Sequence, residues 1–146
     1  MKLKKQWEEE PDYETFTHLG YQGIIKRQPQ LLTLCGYIGV PQPHPFYGRD
    51  YDSVYGYLDC HGGLTFSGQF PDFPHWFFGF DCAHAGDLIP STYQLMNELR
   101  EKEDRLSTSI FLQQDVYRNF DYVKKHVIQL ANQLRDDRIR HLVSRS

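Results

Sequence analysis

The sequence is poor in cysteine and has no long hydrophobic run. Its three cysteines, Cys35, Cys60 and Cys82, are an odd number without CxxC spacing, which argues against a disulfide framework and indicates a reducing compartment. No stretch approaches the roughly 18–20 apolar residues of a membrane span, and the lysine-rich start leads into Trp7 without the apolar segment of a signal peptide. We therefore expect a cytoplasmic protein without a membrane partner.

Positive charge is missing from the middle of the chain, although the net charge is only −3. No Lys or Arg lies between Asp50 and Asn97, where the acidic residues are Asp50, Asp52, Asp59, Asp72, Asp81 and Asp87. Binding to a nucleic-acid backbone depends on Lys and Arg that neutralise phosphates, so we expect no nucleic-acid partner. A small phosphorylated ligand stays open, held by backbone amides or by the basic side chains Lys26, Arg27, Arg49 and Arg118.

Glycine and proline are absent from the C-terminal part of the chain. All eleven glycines lie between Gly20 and Gly86, and all eight prolines lie between Pro11 and Pro90. Both residues interrupt helices, so residues 91–146 are predicted to be helical and residues 20–90 to form sheet and loops. A length of 146 residues suits one domain spanning residues 1–146.

Apolar residues in the C-terminal part follow a helical period. Their spacing of 4, 3, 4, 3 and 4 predicts one long helix with a single apolar face, formed by Val116, Phe120, Val123, Val127, Leu130 and Leu134. Asp115 or Asn119 is predicted to cap its start. A shorter helix is predicted from residue 91 to about residue 106, with Leu95, Met96 and Leu99 facing inward and a charged face over residues 98–105.

Short β-branched and aromatic runs bounded by Gly, Pro or Asp predict five strands. These runs are residues 21–26, 31–40, 54–59, 63–70 and 76–80. Gly62-Gly63 predicts a tight hairpin between the third and fourth of them. The predicted fold class is therefore α+β: a small, mostly antiparallel sheet packed against a long C-terminal helix and one shorter helix.

Two glycine-containing segments, residues 60–68 and 76–87, combine polar side chains with aromatic surroundings. Alternation along a strand would place Thr65 and Ser67 on one face of the first segment. The second segment reads as a buried strand that delivers polar side chains into a turn at its C-terminal end, where folds commonly place sites. We expect the two segments to meet in space.

An ordered set of motifs carries a resemblance that extends over residues 36–134. The motifs are Gly36-Tyr-Ile-Gly-Val-Pro41, His44-Pro-Phe-Tyr-Gly48, His61-Gly-Gly-Leu-Thr65, Trp76-Phe-Phe-Gly-Phe-Asp-Cys-Ala-His-Ala-Gly-Asp87 and Tyr117-Arg-Asn-Phe-Asp-Tyr-Val123. As a set, they resemble those of a group of small proteins carried by phages and prophages. The resemblance implies a context rather than an activity: accessory proteins of this kind often act on host processes, including the capture or destruction of nucleotide signals used in antiviral defence.

The expected function is capture of a small nucleotide-derived ligand by a phage accessory protein in the bacterial host. Aromatic rings stack on nucleobases, His and Asp read base edges and ribose hydroxyls, and a double glycine admits a phosphate. The side chains expected to bind the ligand are His44, Tyr47, His61, Thr65, Asp81, His84 and Asp87. We expect a homodimer and no cofactor. We also expect no bound metal, because Asp81-x-x-His84 lacks a second dense pair of ligands.

Two alternatives remain open from the sequence. The first is a phosphoester hydrolase, metal-assisted or not, in which His61 and His84 transfer protons and Asp81 orients them or binds a metal; a thiolate mechanism would use Cys82 instead. The second is an inhibitor that binds a host protein through exposed aromatic residues of the segment 44–57.

Overall fold

A computed structural model describes residues 6–103 and 115–139. It confirms the α+β class: a five-stranded antiparallel sheet carries one long helix on its face. The strands are β1 (Tyr13–His18), β2 (Tyr21–Arg27), β3 (Leu34–Val40), β4 (Phe66–Gly68) and β5 (Trp76–Asp81), arranged in the order β1-β2-β3-β5-β4. The described helices are α1 (Gln6–Glu9), α2 (Pro90–Glu103), α3 (Phe120–Gln133) and a 3-10 turn (Tyr51–Val54). None of them is both long and apolar enough to cross a membrane.

The first strand lies before the region in which strands were predicted. β1 pairs with β2 in register His18↔Tyr21, so only Leu19 and Gly20 connect the two strands. Both connecting residues have positive φ, 56° and 85°, as a two-residue hairpin turn of this twist requires. Leucine is a poor signal for such a turn, which explains why the sequence pattern did not reveal it.

The predicted strand at residues 54–59 is wrong. The chain forms a 3-10 turn at Tyr51–Val54, and the amides of Tyr57 and Leu58 both donate to the Val54 carbonyl at 3.0 Å. The predicted Gly62-Gly63 hairpin is therefore wrong as well: the two glycines have φ of 68° and 81° in a loop, and β4 pairs with β5. Of the two aromatic residues in this segment, Tyr57 packs partly against the core, whereas Tyr55 is 51% exposed.

The long helix begins later than its apolar pattern suggested. Asn119 caps α3 by accepting a hydrogen bond from the Tyr122 amide at 2.8 Å, which decides between the two predicted caps. Val116 precedes the helix and is 51% exposed, contrary to prediction, because its backbone instead forms a parallel bridge with Asp87.

The shorter helix is present, but its predicted inward face is wrong. Leu95 and Leu99 are 56% and 43% exposed, whereas Met96 is half-buried. α2 packs through Tyr93, whose ring meets Trp7 edge to face at a centroid distance of 5.8 Å. The predicted end near residue 106 and most of the charged face lie outside the residues whose side chains are described.

The core lies between α3 and the sheet. Val123, Val127 and Leu130 are fully buried on the inner face of α3. Gly36 of β3 permits this approach, because a Cβ at that position would lie 2.7 Å from both the Phe80 ring and the Val127 side chain. α3 is thereby fixed at a short distance from the strands that carry the candidate site.

A buried arginine ties the N-terminal segment to the start of α3. The Arg27 side chain, 6% exposed, donates to Asp12 at 2.7 Å and to Tyr117 Oη at 3.0 Å. It also pairs with Glu10 at 3.3 Å, and the other Glu10 oxygen accepts the Phe120 amide at 2.7 Å. One network therefore anchors the first turn of α3 to β2.

The cap of α3 gives a direct test of this boundary. We expect Asn119→Ala to lower the free energy of unfolding by about 1 kcal/mol, because one helix N–H loses its acceptor. Asn119→Asp keeps an acceptor oxygen at the same place and serves as the matched control. Urea denaturation followed by circular dichroism measures both; equal stability of the alanine variant and the parent chain would contradict this assignment of the cap.

Candidate functional site

The buried carboxylate of Asp87 is the centre of a polar cluster. Asp87 closes a turn after β5 by donating its amide to the His84 carbonyl at 2.9 Å, and the residue is 4% exposed. Its oxygens accept hydrogen bonds from His61 Nε2 at 2.8 and 2.9 Å, from the His84 amide at 3.0 Å and from Arg118 Nε at 2.9 Å. Burial alone would raise the pKa of Asp87, but these donors outweigh it and hold the pKa below its ordinary value.

His61 joins the double-glycine loop to α3. Its Nδ1 lies 2.8 Å from Tyr122 Oη, and its backbone amide donates to His126 Nδ1 at 3.1 Å. In the neutral imidazole, Nε2 carries the proton toward Asp87 and Nδ1 accepts from the tyrosine hydroxyl. Burial, with a smaller effect from His61, lowers the pKa of His126, which favours the neutral ring that its acceptor role requires.

His84 occupies the edge of the cluster and keeps one nitrogen unpaired. Its Nδ1 lies 3.5 Å from carboxylate oxygens of both Asp81 and Asp87, and it is a buried atom with no hydrogen-bond partner among residues 6–103 and 115–139. Gly62 is required beside the ring, because a Cβ there would lie 2.4 Å from His84 Cε1. The side chain as a whole is 31% exposed and can therefore meet a ligand.

Thr65 and Asp81 form the outer part of the same region. Asp81 ends β5; its Oδ1 accepts the Ala83 amide at 3.0 Å, and its Oδ2 accepts the Thr65 hydroxyl at 3.2 Å. The amide of Thr65 donates to the Gly79 carbonyl at 2.8 Å, which positions the loop against β5. The structure thus brings together five of the predicted ligand-binding residues: His61, Thr65, Asp81, His84 and Asp87.

The other two predicted ligand-binding residues lie apart from this cluster. His44 packs its ring edge to face on Tyr21, in a groove that also contains Leu134. Leu134 and Tyr122 are separated by about 18 Å of helix, so His44 and the cluster lie toward opposite ends of α3. Tyr47 packs on Trp76 and donates its hydroxyl to the Pro74 carbonyl at 3.3 Å.

The structure disfavours Cys82 as a nucleophile. Cys82 is 2% exposed, and burial raises the pKa of its thiol, with Asp87 adding to the rise. A reactive cysteine needs access and a depressed pKa. The thiol packs as a small apolar group in the core.

The segment 44–57 offers little exposed aromatic surface for a partner protein. Phe46 is fully buried, and Tyr47, Tyr51 and Tyr57 pack partly against the core. Tyr55 is 51% exposed, and its hydroxyl donates to the Leu64 carbonyl at 2.9 Å.

Three residues of α3 and the turn before it complete the cluster. Arg118, Tyr122 and His126 follow one another at intervals of four residues, which places them on one side of the chain. The sequence contains this spacing as a signal, although the prediction included Arg118 only as one of several basic side chains. The Arg118 guanidinium lies 5.0 Å from the Tyr122 ring centroid, and the Tyr122 and His126 rings are 4.6 Å apart.

Comparison of the chain with protein-family models, curated proteins and solved structures gives no match.

Proposed function

We propose that the chain binds a small nucleotide-derived ligand at the Asp87 cluster, through the phosphate of that ligand, and releases it chemically unchanged. The observation that carries this proposal is the junction at Asp87, where one buried carboxylate fixes His61, the His84 amide and Arg118 from three separate segments. These groups lose their conformational entropy when the chain folds and not when a ligand binds. This preorganisation favours binding.

Arg118 is the residue best suited to a phosphate. Its Nε donates to Asp87, and the two terminal nitrogens of the guanidinium make no hydrogen bond within residues 6–103 and 115–139, so they can form a bidentate contact. The side chain is 25% exposed, and the hydrogen bond to Asp87 raises the pKa of Arg118. The Thr65 hydroxyl and the Asp81 carboxylate are suited to ribose hydroxyls or base edges beside it.

Occupancy of the His61 nitrogens favours capture over hydrolysis. Nε2 is engaged by Asp87 and Nδ1 by Tyr122, so His61 has no free nitrogen for a proton transfer to substrate. A phosphoester hydrolase remains the second candidate because of His84. Asp81 and Asp87 both face its Nδ1, an arrangement that can orient an imidazole for acid–base work at Nε2.

The resemblance to phage-carried proteins supports a biological setting for this capture. In that setting the chain acts in the cytoplasm of an infected bacterium and withdraws a nucleotide signal that the host uses for defence. Assembly as a homodimer belongs to the same proposal, since a second copy can complete a site on a chain this small.

Calorimetric titration with cyclic dinucleotides and cyclic ADP-ribose isomers tests the proposal. We expect saturable binding of at least one of these ligands, and we expect Arg118→Gln to weaken it at least tenfold, because a charge-assisted contact to phosphate is lost. Arg138→Gln is the matched control: Arg138 also pairs with an aspartate and lies 5.1 Å from a tyrosine ring, that of Tyr57, but outside the cluster.

Flat heats across the panel would overturn the nucleotide proposal. Recovery of the ligand after heat denaturation separates capture from hydrolysis. If the chain captures the ligand, the ligand is recovered intact with and without added divalent metal. Hydrolysis products that form with the parent chain and not with the His84→Ala variant would establish the hydrolase instead.

A further inference from the structure

We propose that His61, His84 and Asp87 form a binding site for one divalent transition-metal ion of the Zn²⁺ type. One donor atom from each of these residues lies within 4.8 Å of the other two. The donor set is two imidazole nitrogens and one carboxylate oxygen, which suits Zn²⁺, Mn²⁺ or Fe²⁺ better than the oxygen-preferring Mg²⁺ and Ca²⁺.

The distances from Asp87 to the two imidazoles are close to those between ligand atoms around a small ion. Asp87 Oδ2 lies 2.8 Å from His61 Nε2 and 3.5 Å from His84 Nδ1. Ligand atoms held at about 2.1 Å from one ion are separated by about 3.0 Å in octahedral and about 3.4 Å in tetrahedral geometry. The two imidazole nitrogens lie within 4.8 Å of each other, so the rings must move closer together for all three donors to reach one ion.

An ion would also give the unpaired nitrogen its partner. His84 Nδ1 is buried and makes no hydrogen bond within the described residues, although one carboxylate oxygen of Asp81 and one of Asp87 each lie 3.5 Å away. A neutral Nδ1 with its lone pair directed at the other two donors becomes a ligand, and the desolvation cost of leaving it unpaired disappears.

The surrounding contacts are those expected around metal ligands. When Nε2 of His61 binds the ion, Nδ1 carries the proton and donates to Tyr122, which fixes the ring. Asp87 Oδ1 keeps its hydrogen bond from Arg118 while Oδ2 binds the ion. Only the direct His61–Asp87 hydrogen bond is exchanged for metal coordination.

The three donors are contributed by two segments, which explains why sequence spacing did not indicate the site. His84 and Asp87 are three residues apart in one turn, whereas His61 comes from the double-glycine loop. Three protein ligands leave at least one coordination position open, as in sites that receive water or a ligand atom, unlike closed structural sites.

Uptake of Zn²⁺ alone, without any nucleotide, tests this inference independently of the proposed function. The chain is stripped with a chelator, dialysed against Zn²⁺ and assayed for bound metal; we expect one ion per chain and a rise in Tm by mass action. Co²⁺ provides a second readout, because its absorption spectrum distinguishes nitrogen and oxygen ligands from sulfur ligands. We expect a spectrum without a sulfur ligand, although Cys82 is close to His84 in the sequence.

His84→Ala is the decisive variant. Nδ1 of His84 makes no hydrogen bond within the described residues, so we expect the fold to stay intact by circular dichroism when the side chain is removed. We expect its affinity for Zn²⁺ to fall at least tenfold. His75→Ala is the matched control: Nδ1 of His75 is also buried without a hydrogen-bond partner in the part of the chain that the structure describes, but its ring packs among Phe73 and Phe77. No uptake by the stripped parent chain, or uptake unaffected by His84→Ala, would overturn the site.

Discussion

Asp87→Asn is expected to lower the free energy of unfolding by about 3 kcal/mol, because it removes one partner of a buried ion pair. Asparagine fills the same space but removes the negative charge that Arg118 and His61 share. It also turns one acceptor into an NH₂ group that faces other donors, so buried N–H groups lose their partner.

Urea denaturation followed by circular dichroism measures this loss. Asp81→Asn is the control, because Asp81 lies in the same region with a side chain that is 37% exposed, and we expect it to cost less than about 1 kcal/mol. Equal losses of unfolding free energy in the two variants would mean that the contacts of Asp87 do not contribute more to stability than those of an exposed aspartate.

Arg27→Met is expected to cost about 3 kcal/mol as well, through a different part of the molecule. Methionine keeps much of the apolar stem but leaves Glu10 partly buried without its cation and the Leu32 carbonyl without its donor. The loss should spread to the start of α3, because Glu10 also accepts the Phe120 amide there.

Arg138→Met is the matched control for Arg27. Arg138 pairs with Asp136 at 2.8 Å, but its side chain is 65% exposed, so water replaces the lost contact and no measurable change is expected. Thermal and urea denaturation of both variants give the comparison. A similar response of the two would show that the Arg27 network adds little beyond a surface ion pair.

The sequence predicted the elements whose signal is local. α3 follows from an apolar period that its own residues carry, and Asn119 is one of two caps that the sequence allowed. The strands were harder, because a strand is defined by partners elsewhere in the chain. Residues 54–59 have a strand-like composition but fold as a turn. β1 was not predicted, because its hairpin has Leu19 at a position where glycine or asparagine is usual.

The candidate site was predictable for the part contributed by residues 61–87. The expected meeting of the double-glycine loop with the turn after β5 is present as the His61–Asp87 contact. The contribution of Arg118, Tyr122 and His126 depends on how α3 docks on the sheet, and no local pattern specifies that docking. His44 and Tyr47 carry suitable chemistry, but the fold places them elsewhere.

The residues of the Asp87 cluster are far apart in the sequence, which affects when the cluster can form during synthesis of the chain. Asp87 meets partners 26 residues before it and 31 residues after it, and the His61 amide meets an imidazole 65 residues later. A nascent chain synthesised only as far as Asp87 therefore holds these imidazoles and carboxylates without Arg118, Tyr122 and His126, which orient them. The Asp87 cluster is therefore completed only after α3 has been synthesised and has docked on the sheet.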